Sequence, residues 1–426
     1  MKNSDFNVKY CFLLLPLYVF LNSCNEVKND DVFHRTDDTG VAIATPFLWK
    51  TSLHQKEPMS NSHIKNPIIY NNNIIVPTTN GEENRALSLI DSNDGKILWD
   101  WDDFYKDHSE YVDIYFHYQI DNLLTYQWGS RSYCINLENG STKWRHIRDR
   151  SFDVRIDPDD QYYFTCTEVI NNNGYAEWIP FKGDIQTGII SEFNIANYTF
   201  HCPECKSGTL YIIKVPDEEN LLLITYFENL PEWISQVFYG LYNFSEEIWL
   251  WDKVLVREPQ NPNFIYHAPI IVNNKIYTAI VNSLVCHDLE SGKLLWRRDF
   301  NGDFMFTGII VEEGKVIANC EDTYAYALNA EYGTTHWSVK TAGTSSRMSY
   351  LNGVVYMVGG SGGGRLFAIE AATGKILWKI DAGLLGEGEG ARFRTNAVYV
   401  LPAKDDQPAK VIALSDLYAY CFEAIK

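Results

Sequence analysis

The chain has 426 residues, 46% of them apolar and 14% aromatic, which is enough for a large buried core and excludes an intrinsically disordered chain. Its 36 basic against 55 acidic residues give a formal charge of −19. That balance argues against nucleic acid and against anionic lipid headgroups as partners, because both require a basic footprint, and leaves basic proteins, cations and neutral glycans open.

Lys2 and Lys9 form a basic start, and Tyr10 to Leu21 is an apolar run broken only by Pro16, too short to span a bilayer comfortably. The run ends in Leu21-Asn22-Ser23-Cys24, which resembles a lipobox. The resemblance implies that residues 1–23 are a lipoprotein signal peptide and that Cys24 is the lipid-attachment residue, carrying a diacylglyceryl group and then an N-acyl group. Several acyl chains anchor a protein where one does not. The fold is then held at the outer membrane, on its periplasmic or its surface face. Cleavage would remove two Lys and one Asp and move the formal charge from −19 to −20. Residues 24–45 read as a flexible tether with an acidic start, Asn25 to Asp31.

From residue 46 the chain repeats itself. The segment Leu89-Ile90-Asp91-Ser92-Asn93-Asp94-Gly95-Lys96-Ile97-Leu98-Trp99 returns at Asn136 to Trp144, Asp288 to Trp296, Asn329 to Trp337 and Glu370 to Trp378. Four positions before each Trp stands Gly95, Gly140, Gly292, Gly333 or Gly374, and eight positions before it an Asp, Asn or Glu. Glycine supplies a positive φ in a tight turn and a short acidic or amide side chain caps the turn N–H groups, so each copy reads as a β-hairpin. β-branched and aromatic alternations such as Lys275 to Ala279, Lys315 to Asn319 and Val354 to Val358 supply the strands one hairpin earlier. Two copies are degenerate. Asp184 to Gly188 keeps the turn but has Glu192 where Trp belongs, and the copy ending near Trp249 has lost its Gly; between them, about 194–240, the extra length reads as an irregular insertion.

A period of 41 to 45 residues between successive Trp is that of a four-stranded propeller blade. The predicted fold is all-β, a single β-propeller over residues 46–426 with about eight four-stranded blades. Lys410 to Ala413 and Leu417 to Tyr420 form a last set without an outermost strand, which Pro46 to Thr51, around Trp49, supplies from the other end so that N- and C-terminal strands close the ring. If Tyr418 to Ala424 is itself outermost, Trp49 is an extra strand and seven blades remain open.

The repeat, clearest in Glu370-Ala371-Ala372-Thr373-Gly374-Lys375-Ile376-Leu377-Trp378, resembles the PQQ-like, or quinoprotein-type, propeller repeat. The resemblance implies that Trp49, Trp99, Trp144, Trp296, Trp337 and Trp378 are docking residues that tie each blade to its neighbour. With the lipobox, it is similar at the level of fold to the propeller lipoproteins of the outer-membrane β-barrel assembly machine, which implies a non-catalytic, protein-binding scaffold in the cell envelope without a cofactor. The alternatives are a glycan- or ligand-binding surface lipoprotein and a PQQ-dependent dehydrogenase. The last implies quinone and calcium beside an adjacent cysteine pair, and this sequence has no Cys-Cys dipeptide.

Site-like features are sparse. Cys202 and Cys205 have Cys-x-x-Cys spacing, but a closed tetrahedral site needs four ligands and no second close pair exists; they read as a local disulfide or an insertion turn, and are the candidates if a metal binds. Of nine cysteines, Cys11 and Cys24 belong to the signal and anchor, leaving an odd number, and Cys134, Cys286 and Cys320 sit in apolar runs as small buried hydrophobes. Asp157 to Asp160 and Gly359 to Gly364 read as loop tips. Trp101 to Tyr118 gathers Asp102, Asp103, His108, Glu110, Asp113 and His117 among aromatics, either an ordinary blade-to-blade connection or a rim for a cationic or carbohydrate partner. No Gly-x-Ser-x-Gly elbow, His-Glu-x-x-His pair or Walker loop occurs, and no catalytic residue is assigned.

Overall fold

The computed structural model describes residues 34–36, 42–43, 47–54, 67–109, 116–128, 131–147, 152–153, 162–170, 176–192, 207–218, 220–229, 235–260, 265, 267–304, 308–341, 347–360, 364–385, 387 and 391–425. Among the described residues eight antiparallel sheets carry the fold, each built on four strands that in all but one sheet follow one another in sequence. Blades 1 to 7 span 68–101, 116–147, 152–192, 207–260, 270–299, 310–340 and 348–380; blade 8 takes three strands from 393–423 and its fourth, Trp49–Ser52, from the other end of the chain. The count is therefore eight.

Each sheet packs between two others, so the two middle strands are buried on both faces and read as continuous apolar runs, as in Val354–Gly359 and Lys410–Ser415. The fourth strands, such as Leu294–Asp299 and Thr335–Lys340, are largely exposed and form the outer edge, while the short first strands face the axis. Apolar clusters fill the seams, one of them running from blade 2 past Ile185 of blade 3 into blade 4. Ile317, Ala327 and Trp337 meet Val355, Met357 and Phe367 between blades 6 and 7, and Tyr356 and Trp378 meet Val411 and Phe422 between blades 7 and 8.

The hairpin turns behave as their composition requires. Gly95 and Gly333 have φ of +77° and +66°, and their N–H groups reach Asp91 and Asn329 carbonyls at 2.9 and 2.8 Å, while the Asp91 and Asn329 side chains accept turn N–H groups. After the turn, each copy carries a β-bulge: Leu89 pairs with Trp99 but Ile90 with Ile97, leaving Leu98 unopposed, and the same shift occurs before Trp144, Trp296, Trp337 and Trp378. The extra residue turns toward solvent, as Leu98 and Leu295 show, and the Trp turns toward the next blade.

Closure joins Trp49 to Cys421, Lys50 to Tyr420, Thr51 to Ala419 and Ser52 to Tyr418. Trp49, Ile412, Leu414 and Cys421 then pack with Ile74, Val76 and Ile90 of blade 1, so the last seam is as apolar as the others.

Three features differ from the sequence reading. The stretch read as an irregular insertion, about 194–240, holds most of the first three strands of blade 4, Ser207–Lys214, Leu221–Asn229 and Ser235–Asn243, while 194–206 lie outside the described residues. The extra length goes into long strands, the fourth of which, Ile248–Gln260, has 13 residues. In that blade Leu241 pairs with Trp251 and Tyr242 with Trp249, so the bulge makes Trp251, two residues beyond the Trp taken from sequence, the equivalent of the other seam tryptophans. Within the stretch read as a flexible tether, His34–Thr36 and Ala42–Ile43 are strands that extend the outer edge of blade 7, with Arg35 opposite Trp378.

Between blades 4 and 5, His287 is fully buried with its ring edge-on to Tyr239 at 5.2 Å, and burial pushes its pKa down to about 4. An unfolded histidine titrates near 6.5, so below that pH the unfolded chain binds the proton more readily. Stability contributed by this neutral imidazole is complete above about pH 6.5 and falls as pH drops toward 4, by about 3 kcal/mol for this residue. Urea titrations at pH 7.5 and 4.5 should show a smaller acid loss in His287→Leu than in the parent; equal losses would exclude His287 as a source of acid sensitivity.

Candidate functional site

The first strands leave a cavity of about 390 Å³ on the axis, walled by segments of blades 4, 5, 6 and 7. Ile213, Ile271, Ile309 and Met348 supply its apolar surface and Lys214, His267 and Arg347 its polar surface. The fold places these groups because first strands are short, so residues just before them reach the lumen: Arg347 precedes Met348–Leu351, His267 lies shortly before Ile270–Val272, and His117 lies within Phe116–Ile120.

Arg347 donates from Nη2 to Nδ1 of His267 at 2.8 Å, a contact between blades 7 and 5 that passes blade 6. A guanidinium has no acceptor, so His267 Nδ1 must be the unprotonated nitrogen. Gly308 of the intervening blade makes room: a Cβ there would stand 3.5 Å from Arg347 Cγ. Burial lowers the Arg347 pKa to about 10, which leaves it charged at neutral pH. His117 of blade 2 is held neutral, its pKa pushed down to about 3 first by burial and then by the Arg347 charge, and its Nδ1 is buried without a hydrogen-bond partner.

The rim group read from sequence does not converge. Asp102 is taken up by Asn80, Asn84 and Lys106, Asp103 accepts from Thr142, and His108 meets the Tyr133 hydroxyl, all in or beside the seam of blades 1 and 2, where Asp107 also pairs with Arg145. His117 lies apart from them in the first strand of blade 2 and feels the Arg347 charge, while Glu110 and Asp113 lie outside the described residues, as do Cys24, Cys202, Cys205 and Asp157 to Asp160. Among the described residues no group of three or more His, Cys, Asp or Glu is arranged to hold a metal ion. Cys134, Cys286, Cys320 and Cys421 are buried free thiols whose pKa burial raises to about 12, which makes them unreactive.

The seam residues sit where one blade meets the turn of the next. The indole N–H of Trp49 reaches the Ser92 carbonyl at 2.8 Å, Trp99 reaches Leu137 at 3.1 Å, Trp144 reaches Ile185 at 2.8 Å, Trp251 reaches Leu289 at 3.0 Å, Trp296 reaches Ala330 at 3.0 Å and Trp337 reaches Ala371 at 2.9 Å. Each acceptor lies three residues before a turn glycine, and the indoles lie against Gly95, Gly140, Gly188, Gly292, Gly333 and Gly374. Trp378 is 2% exposed against Tyr356 and Phe422, because blade 8 has no third-to-fourth-strand turn.

A quinone with calcium does not fit the cavity. Among the described residues its wall carries cationic and imidazole groups and no carboxylate, which is not the oxygen-ligand set a calcium ion requires.

The family described as Outer membrane protein assembly factor BamB matches residues 250–380, the end of blade 4 through blade 7. Outer membrane protein assembly factor BamB of Moranella endobia (strain PCIT) is 28% identical over 123 residues, 29% of this chain and 31% of the relative. Quinohemoprotein alcohol dehydrogenase ADH-IIG of Pseudomonas putida is 30% identical over 150 residues, 29% of this chain and 21% of that protein. The chain thus matches less than a third of the length of these relatives. Over the whole ring, the crystal structure of BamB from Moraxella catarrhalis superposes with a TM-score of 0.51, covering 89% of this chain and 100% of that one at 12% identity, a likeness of fold. The chain is a β-propeller whose residues 250–380 match this repeat family, and it is similar to the outer membrane protein assembly factor BamB.

Proposed function

We propose that the protein is a non-catalytic lipoprotein of the outer membrane, anchored through Cys24, whose propeller serves as a protein-binding scaffold in outer-membrane protein assembly. The observation that carries this reading is the likeness of a single eight-bladed ring to the full length of a BamB chain, combined with BamB-type repeats in blades 5 to 7. The axial donor set is in keeping with the non-catalytic part: among the described residues of the cavity wall, charged Arg347 has no carboxylate beside it to act as base or metal ligand. The seam tryptophans and their turn glycines are read as the docking devices that keep such a ring rigid. The net charge of −19 favours a partner with a basic face.

Affinity capture from detergent-solubilised envelopes, using the full chain, tests the scaffold reading. Enrichment of barrel-assembly components is the expected result; enrichment of glycan transporters and hydrolases instead would overturn it. Incorporation of labelled palmitate, abolished by Cys24→Ala, is the expected result for the anchor. The identity with a quinohemoprotein dehydrogenase favours one other reading. Dye reduction by the purified chain given PQQ, calcium and an alcohol would establish that reading and displace this one.

A further inference from the structure

The axial cavity has a chemistry that the scaffold reading does not use. In a chain of net charge −19, the described residues of its wall carry two cations, Lys214 and Arg347, one imidazole, His267, and otherwise mostly apolar side chains, with no carboxylate among them. A cationic group inside a narrow low-dielectric channel focuses potential on the lumen and draws anions into it. The guanidinium is also held in place: His267 accepts from one of its nitrogens, and a side chain added at Gly308 would meet its stem. His117 of blade 2, outside the cavity lining, feels the Arg347 charge and is kept neutral by burial, so it adds no competing charge nearby.

We propose that this cavity is a binding site for an organic carboxylate, with the carboxylate on Arg347 and Lys214 and an apolar body against Ile213, Ile271, Ile309 and Met348. Arginine presents paired N–H donors that match a carboxylate in a way a lone ammonium does not, so Arg347 is the selective group and Lys214 the attracting one. The apolar wall distinguishes an organic acid from inorganic phosphate, which would leave Ile271 and Ile309 without contacts. A volume of about 390 Å³ admits a small acid or the end of a chain that carries one. The same carboxylate could arrive as a free acid or as the terminus of a peptide. The inference does not rest on the scaffold reading, and capture of assembly proteins can fail while this site still binds.

Calorimetric titration of the purified full chain with 3-phenylpropionate, 3-phenylpropionamide and inorganic phosphate tests it. The acid should bind, and the amide and phosphate should each bind at least about tenfold more weakly, the effect of losing one charge-assisted hydrogen bond or the apolar contact. Arg347→Met should weaken the acid by at least about tenfold, while Arg347→Lys retains part of the affinity. Should Arg347→Met fail to fold, Gly308→Val provides an independent check: it leaves every charge in place but crowds Arg347, and should also block the acid. Equal binding of acid and amide, undiminished binding in folded Arg347→Met or Gly308→Val, or no binding of the acid at about 10 mM, the weak end for a small ligand, would overturn the proposal. A peptide ending in Phe-Gly, tested with a free and an amidated terminus, identifies the source. Tighter binding of the free terminus than of 3-phenylpropionate assigns a peptide carboxylate, and exclusion of both peptides assigns a free acid.

Discussion

Trp49→Ala will destabilise the ring by about 3 to 5 kcal/mol in urea titrations, the cost of emptying a large buried aromatic site. The side chain is 7% exposed, its N–H is satisfied by the Ser92 carbonyl and its ring lies on Gly95. The loss has two parts. Truncation removes apolar contact with Ile74, Ile90 and Ile412, and it leaves a backbone carbonyl in the seam without its donor. Trp296→Ala and Trp378→Ala empty sites of the same kind, 8% and 2% exposed, and carry a similar expected cost. What sets Trp49 apart is topology: the strand it belongs to is the only covalently distant strand in blade 8, so weakening it loosens the closure as well as one seam. A midpoint unchanged in all three variants would mean that the indoles do not hold the blades together.

Gly333→Ala should cost several times more than Gly314→Ala, although both glycines belong to blade 6 and both have positive φ, +66° and +71°. The backbone strain of a left-handed alanine is shared, about 1 kcal/mol in each. Only at Gly333 would the new Cβ meet a neighbour, standing 2.6 Å from Trp296 Cδ2, whereas at Gly314 nothing lies within 4 Å. The overlap must be relieved by moving the indole off its turn, which adds about 1 to 3 kcal/mol. A double-mutant cycle isolates that part: in a Trp296→Ala background the excess cost of Gly333→Ala should disappear. An excess that persists without the indole would assign it to the turn rather than to the seam.

Most of the architecture was legible because one physical device recurs. A turn that needs positive φ selects Gly, a bulge that re-aims one side chain selects Trp, and together they fix the period and a count of about eight blades; the choice between seven and eight, and with it the role of the strand at Trp49, needed the pairing of Trp49–Ser52 with Tyr418–Glu423. The failures fall where that device is altered. In blade 4 no glycine marks the turn, and the bulge displaces the seam residue from Trp249 to Trp251, which spacing from a lost Gly cannot reveal. The long strands of the same blade looked like an insertion because residue count per repeat does not distinguish longer strands from added loops. His34–Thr36 is too short and too polar to show an alternation. The axial site was illegible for a different reason: His267 and Arg347 are 80 residues apart, and His117 lies in a third blade. The one usable signal was positional. Arg347 stands where blade 6 has Gly308 and blade 5 has Ala268, but that register becomes visible only once the first-to-second-strand turns are aligned.

The central claim is that a strand from the N-terminal side completes the last sheet of a closed eight-bladed ring. Native-state amide hydrogen exchange tests it most directly, because Trp49–Ser52 is an outer strand whose amides are protected only by pairing with Tyr418–Glu423. The account predicts slow exchange in 47–53, with protection in this segment and in 418–423 lost together in Trp49→Ala. Rapid exchange in 47–53 while 418–423 stays protected would contradict it.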